Sequence, residues 1–361
     1  MSEMPRIMTS PYMQWAKMHS HAKYKLATSG IVSYPLADLH IDVTALEING
    51  GEGYGFPPLV DSLAALLGVG SDRIFTTLGT SMANHLAFAV LFDRGDEILV
   101  EQPTYELLLS TAGYFGASLK RFPRRFEEDF RINPDEIKRR ITPRTKLIVI
   151  TNLHNPTSAL TDESTLREIG TLARSVGARV LVDEVYLQAA YPIAPRSAVH
   201  LGDEFVITNS LTKMYGLSGL RCGWIAAEPA LIRKLWLLND LFNVNHSFPA
   251  VQMSVAALKQ LDRIFGRTKS ILEPNRELLG KFLASRSDLR GYHADFGNVV
   301  FPKLVKGDSE RFCTMLREKY ETTVVPGKFF EMPDYIRIGM GQPHDEFREG
   351  LSRVGKALNE L

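Results

Sequence analysis

The chain has 361 residues and is close to charge balance, with 42 lysines and arginines against 41 aspartates and glutamates. That length can bury a full core and fill two domains, while the small net charge argues against a dedicated nucleic-acid surface, which would show as a basic stripe. Its two cysteines, Cys222 and Cys313, lie far apart in apolar surroundings, which excludes a disulfide scaffold and a C-x-x-C metal or redox site.

The amino terminus, Met1-Ser2-Glu3-Met4-Pro5-Arg6, has no apolar block behind it and does not read as a signal peptide. No stretch reaches the roughly 18 consecutive apolar residues of a membrane span. A soluble protein of the reducing cytoplasm is therefore expected. Apolar, β-rich runs recur at 74–78, 97–101, 118–122, 146–151, 179–185, 205–211 and 222–227. Helical patterns lie between several of them, such as 161–176, with a Thr161…Ser164 start and a Gly177 stop. Strands alternating with helices predict an α/β fold built on a mostly parallel seven-stranded sheet covered on both faces. After Trp224 the pattern turns helical over 231–242 and 249–283, and a short mixed α/β region follows from Leu289. A dinucleotide fold is the rival. Its nearest loop, Gly68-Val69-Gly70, lacks the third glycine and precedes a strand instead of following one.

The chemistry-bearing residues fall just past strand ends, where open α/β sheets bind ligands. Gly79-Thr80-Ser81 ends one run and opens a helix, whose free N–H groups and dipole suit an anion; an ordinary Ser/Thr cap is the plainer reading. The next run closes in Pro103-Thr104-Tyr105, a turn with an aromatic. The run 147–151 ends in a turn carrying Asn155-Pro156. Asp183 closes the hydrophobic run after Arg179, where a carboxylate needs a cation or donors to be buried. Glu184 falls on the opposite side by strand alternation. A metal-binding carboxylate of the Walker-B kind is set aside because no G-x-x-x-x-G-K-[ST] loop lies upstream. Ser210-Leu211-Thr212-Lys213 leaves the next run, with Arg221 following. A lysine becomes a nucleophile when partly desolvated, and a hydroxyl with a forked guanidinium suits a phosphate. Near the carboxyl end, Tyr335-Ile336-Arg337-Ile338 sets an arginine mid-strand, where a surface salt bridge is the plainer reading.

The Ser-x-x-Lys…Arg element, with the other parts in the same order, resembles the aspartate aminotransferase superfamily of fold-type I pyridoxal 5'-phosphate (PLP) enzymes, the class I/II aminotransferases. The likeness runs from about Ile31 to Lys356. It implies a large PLP-binding domain over 36–271 and a small α/β domain from both chain ends, 1–35 and 272–361. It implies that Lys213 forms a Schiff base with PLP, and that Ser210, Arg221, Gly79, Thr80 and Ser81 hold the phosphate. Tyr105 would stack on the ring, Asp183 would meet the protonated pyridine nitrogen, and Asn155 and Tyr186 would bond the phenolic oxygen. Lys213, Asp183 and Tyr186 carry the catalytic roles. Arg337, with Asn155, would bind the substrate and grip its α-carboxylate. Tyr54, from the Gly53-Tyr54-Gly55 element, would reach the phosphate of a partner subunit, which implies a homodimer with shared sites.

The expected reaction moves an amino group between an amino acid and a 2-oxo acid. Dicarboxylate-specific members carry a second arginine in the stretch matching 242–249, which has none here, so a neutral or aromatic amino acid is expected. Further departures are Ser158 and Leu59 where glycines are usual, and Met82 after the second phosphate loop. A PLP lyase, decarboxylase or cyclising synthase would use the same residues, because the pocket decides which bond breaks. A non-catalytic PLP sensor is the remote alternative, since no DNA-binding module fits before the first core strand.

Overall fold

Leu147, Ile148, Val149 and Ile150 are all fully buried, as a strand covered on both faces requires. Alternation sends Leu147 and Val149 into one hydrophobic cluster and Ile148 and Ile150 into the other. In the computed structural model, which describes residues 7–51, 53–291 and 295–361, this strand is an inner strand of a seven-stranded sheet. Its strands are β1 Ile74–Leu78, β2 Glu97–Gln102, β3 Ser118–Pro123, β4 Thr145–Thr151, β5 Arg179–Asp183, β6 Phe205–Ser210 and β7 Cys222–Ala226. Their spatial order is β1-β7-β6-β5-β4-β2-β3. All pairings from β6 to β3 are parallel. Only β7 runs against its neighbours β1 and β6. The fold is thus α/β with a mostly parallel sheet, and its strands fall where the sequence places them, with ends differing by a residue or two.

The helices between strands follow from local chemistry. Asp162 caps the Glu163–Ser175 helix by accepting from the N–H of Thr165, one residue later than the Thr161 start expected. Gly68, in the discarded dinucleotide loop, is the left-handed residue that ends the Pro57–Leu67 helix. The single pattern over 249–283 is two helices, Phe248–Leu258 and Leu261–Ala284. Leu258 and Leu261 both pack on the core across the break, so the apolar period continues where the helix does not.

The two chain ends meet in a second region. Tyr24–Lys25 pairs in parallel with Thr322–Thr323, and Val299–Val300 and Val325–Pro326 flank Ile336–Gly339 in antiparallel fashion. The 271/272 division expected from the sequence falls inside the continuous Leu261–Ala284 helix. Among the described residues no helix is long and apolar enough to cross a membrane. The carboxyl ends of β4, β5 and β6 lie side by side, with Thr151, Asp183 and Thr208 in register. The site grows from those ends.

Candidate active site

Asp183 ends β5 with its side chain buried. Its Oδ2 accepts from Asn84 Nδ2 at 2.9 Å and its Oδ1 from the N–H of Val185 at 3.1 Å. Asn84 is fixed in turn by the Thr208 hydroxyl, which donates to its Oδ1 at 2.7 Å. Burial still pushes the Asp183 carboxyl up to about 6, against the pull of those hydrogen bonds. A carboxylate held this way is stabilised by a cation brought to it. Glu184 turns away, accepting from the N–H of Ala198, and burial pushes it up to about 7.

Lys213 follows β6 and forms part of the floor of a cavity of about 290 Å³. Its Nζ donates to Ser29 Oγ at 3.3 Å. One side of the lysine faces the cavity while protein crowds the ammonium group, and this desolvation lowers its pKa. The loop is pinned from the amino-terminal segment, because the Ile31 N–H donates to the Lys213 carbonyl at 2.8 Å.

Another part of the same cavity lining suits an anion. Gly79 is the N-cap of the Thr80–Leu91 helix and offers no side-chain cap, so the first N–H groups of that helix remain open to a ligand. Gly79 has φ +79°, and a Cβ there would lie 2.6 Å from Arg221 Nη2. The position therefore needs glycine both for its backbone and for the guanidinium beside it. Arg221 donates to the Leu78 carbonyl at 2.9 Å, and Thr80 donates to Ser210 Oγ at 2.9 Å. An amine of lowered pKa, a buried carboxylate and an anion cradle thus line one cavity. That donor set fits PLP, whose aldehyde, ring nitrogen and phosphate ask for those three partners.

Arg337 is fully buried. Its Nη1 donates to Asn155 Oδ1 at 2.9 Å, and its Nη2 donates to the Tyr12 hydroxyl at 3.0 Å and the Ala27 carbonyl at 3.1 Å. Because Arg337 takes the oxygen end of Asn155, the amide nitrogen is left to donate. The N–H of Asn155 donates to Thr151 Oγ1 at 2.9 Å. Thr151 itself is held by Glu101 Oε1, which accepts from both its N–H and its hydroxyl at 2.7 Å. Glu101 pairs with Arg124 at 2.7 Å with both side chains fully buried. Burial raises the Glu101 pKa, against the pull of Arg124.

Of the residues expected from the sequence, Thr80, Ser81, Tyr105, Asn155, Asp183, Tyr186, Ser210, Lys213 and Arg221 all line the one cavity. Gly79 borders it through Arg221, and Arg337 stands behind Asn155 and Tyr12. Tyr54 stands apart. It is 59% exposed and its hydroxyl donates to Asp240 Oδ2 at 3.3 Å, away from its own chain's cavity. Ser158, at φ +62°, keeps the left-handed turn of a glycine and donates to the Val299 carbonyl at 2.8 Å. Sequence reasoning missed Tyr12, Ser29, Asn84 and Thr151, which also line the cavity. Asn84 was within reach of a spacing argument, since it lies one helical turn after Thr80.

The family model for aminotransferases of class I and II matches residues 48–354. Capreomycidine synthase of Streptomyces vinaceus is 27% identical over 363 residues, covering 97% of this chain and 93% of that protein. An aspartate aminotransferase of Streptomyces avermitilis is 25% identical over 311 residues, covering 81% and 76%. Among solved structures, a PLP-dependent aminotransferase from Streptococcus suis superposes with a TM-score of 0.93 at 27% identity, covering 99% of both chains.

Proposed function

The chain belongs to the aminotransferases of class I and II, and on that premise we propose how its residues divide the work of a PLP-dependent aminotransferase. The observation that carries the assignment is that Lys213, buried Asp183 and Arg221 beside Gly79 belong to one cavity. Bound there, PLP supplies the electron sink that weakens the bonds at the substrate Cα.

Lys213 is the residue that tethers the cofactor. Its free Nζ would take the proton from the substrate Cα, and desolvation favours the uncharged nitrogen that can accept it. Asp183 offers its carboxylate to a protonated ring nitrogen, held in aim by Asn84. Arg221, Ser210, Thr80, Ser81 and the helix start at Gly79 hold the phosphate. Asn155 and Tyr186 donate to the phenolic oxygen, and Tyr105 covers a face of the ring. Arg337 anchors the substrate carboxylate. Water would release the amino acid's carbon skeleton as its 2-oxo acid while the cofactor retains the nitrogen, and a second 2-oxo acid would take that nitrogen up by the reverse steps.

The active unit is a cytoplasmic homodimer in which Tyr54 serves the partner subunit's site. The large domain comprises 36–271, and the small domain 1–35 and 272–361, with the Leu261–Ala284 helix running between them. Lys213 and Arg221 are the cationic side chains among those lining the cavity, which favours a neutral or aromatic amino acid.

The test is a half-reaction. Given an amino acid substrate and no 2-oxo acid, the enzyme converts its cofactor to pyridoxamine 5'-phosphate and stops after one equivalent. Continued release of ammonia or carbon dioxide with the cofactor unchanged would overturn the reading. One observation favours a second reading, a cyclising synthase: the likeness to capreomycidine synthase spans nearly the whole of both chains, further than the likeness to the aspartate aminotransferase. A synthase would make a ring product repeatedly without accumulating the pyridoxamine form, so the same experiment separates the two.

A further inference from the structure

Ser29 lines the cavity and touches the nitrogen on which the chemistry turns. Lys213 Nζ donates to Ser29 Oγ at 3.3 Å, and among the described residues that hydroxyl is the one acceptor Nζ has. The same side chain acts on Tyr186. Burial raises the Tyr186 pKa, while Arg337 and then Ser29 pull it down.

The backbone that carries Ser29 is clamped on several sides. Its carbonyl accepts from Asn298 Nδ2. Next along the chain, the Ile31 N–H holds the Lys213 carbonyl, and the Val32 N–H donates to the Gly341 carbonyl at 2.8 Å. A Cβ at Gly339 would overlap the Thr28 carbonyl, and one at Gly341 would overlap that of Gly30. These two glycines let the carboxyl-terminal region close directly on the segment. A short side chain on so fixed a backbone has little freedom, so the hydroxyl is set against Nζ by the fold itself.

An amine that takes a proton must aim its lone pair at the C–H bond. A hydroxyl that accepts one of its N–H groups limits the directions that lone pair can take. As the proton arrives, Nζ gains a positive charge, and a charged donor makes the stronger hydrogen bond. The contact therefore tightens along the step it assists, which is the condition for lowering a barrier.

We propose that Ser29 is a catalytic residue whose hydroxyl accepts from the free Lys213 amine, aims its lone pair, and stabilises the charge that proton transfer from Cα places on it. In that step the Cα–H bond breaks, an N–H bond forms at Nζ, and the electron pair stays with the substrate and its cofactor. The proposal rests on the reading of Lys213 as the proton acceptor and names the group that directs it. The contrary arrangement is a packing serine that Lys213 leaves behind when it works.

Ser29→Ala removes the hydroxyl and keeps the backbone. In the cofactor-free protein, NMR titration of the lysine ε-carbons, with the Lys213 signal assigned by its loss in Lys213→Ala, reads the contact directly. The Lys213 pKa should fall by about one unit in Ser29→Ala, because an acceptor for the charged form is gone. In the PLP-loaded protein, kcat of the half-reaction should fall roughly tenfold or more while KM changes little. The isotope effect from an α-deuterated substrate should rise, with PLP affinity and melting temperature unchanged. A Lys213 pKa that does not move, or a slower kcat without a larger isotope effect, overturns the proposal. If Lys213→Ala still exchanges the Cα proton of a bound amino acid with solvent, the reading of Lys213 falls and the proposal with it. If that exchange is lost and Ser29→Ala behaves as the wild type, only the proposal falls.

Discussion

The Asn84 amide donates to Asp183 at 2.9 Å, joining the helix that starts at the anion cradle to the strand end that carries the buried carboxylate. Through this bond one helix serves both the cradle and the carboxylate. Asn84 lowers the Asp183 pKa, while burial raises it to about 6.

The pH dependence follows. The folded protein holds the Asp183 proton more tightly than the unfolded chain, so the stability that proton lends the cofactor-free protein is lost as pH rises from about 4, the unfolded value, through about 6. PLP affinity should run the opposite way and grow as Asp183 ionises. In Asn84→Ala the inflection in affinity should move to higher pH, because a donor to the ionised form is gone. Equilibrium binding of PLP between about pH 5 and 8 measures it. A profile identical in the variant would sink the assigned partnership.

Lys213 should carry the cofactor. Borohydride reduction followed by peptide mapping should place the pyridoxyl group on Lys213, and Lys213→Ala should bind PLP without that covalent label and lose transamination. A label on another lysine defeats the site assignment.

Tyr54 is exposed in the single chain, and its proposed place is the partner subunit's phosphate site. Mixing Lys213→Ala chains with Tyr54→Phe chains, each nearly inactive alone, should restore activity, since one of the two sites in a mixed dimer carries neither change. Sedimentation should show the dimer. No recovery in a mixture proven to exchange subunits counts against a shared site.

The buried Glu101–Arg124 pair holds Thr151, which holds the backbone of Asn155. Arg124→Met leaves a buried carboxylate uncompensated and should cost about 3–5 kcal/mol of stability. The double replacement Glu101→Gln with Arg124→Met should cost less than the single. Denaturant unfolding of the wild type and both variants checks this; equal losses would mean the pair acts by shape and not by charge.

The fold was legible because most strands of the large sheet are dense apolar runs ending in a polar turn. The same turns carry Asn155, Asp183, Ser210 and Lys213 within a few residues of a strand end, so local pattern was enough to find them. Tyr12, Ser29 and Thr151 carry no such mark. Tyr12 and Ser29 reach the cavity from the amino-terminal segment through tertiary packing, and Thr151 looks like one more β-branched strand residue. The helix break at Lys259 and Gln260 was hidden for a related reason. Hydrophobic period reports burial, and burial is continuous there while the backbone is not.

Strand β7 closes the sheet by pairing with β1, so Ile74 and Ala226 become neighbours. On the ribosome, Gly79 emerges long before Arg221, and the anion cradle has only one wall until β7 has been synthesised and has docked. Pairings so distant in the chain form slowly. The nascent protein therefore gains the means to hold its cofactor only late in its synthesis, and Arg337, the proposed carboxylate anchor, comes later still. Cofactor capture would then mark the completion of folding and could not guide its first steps.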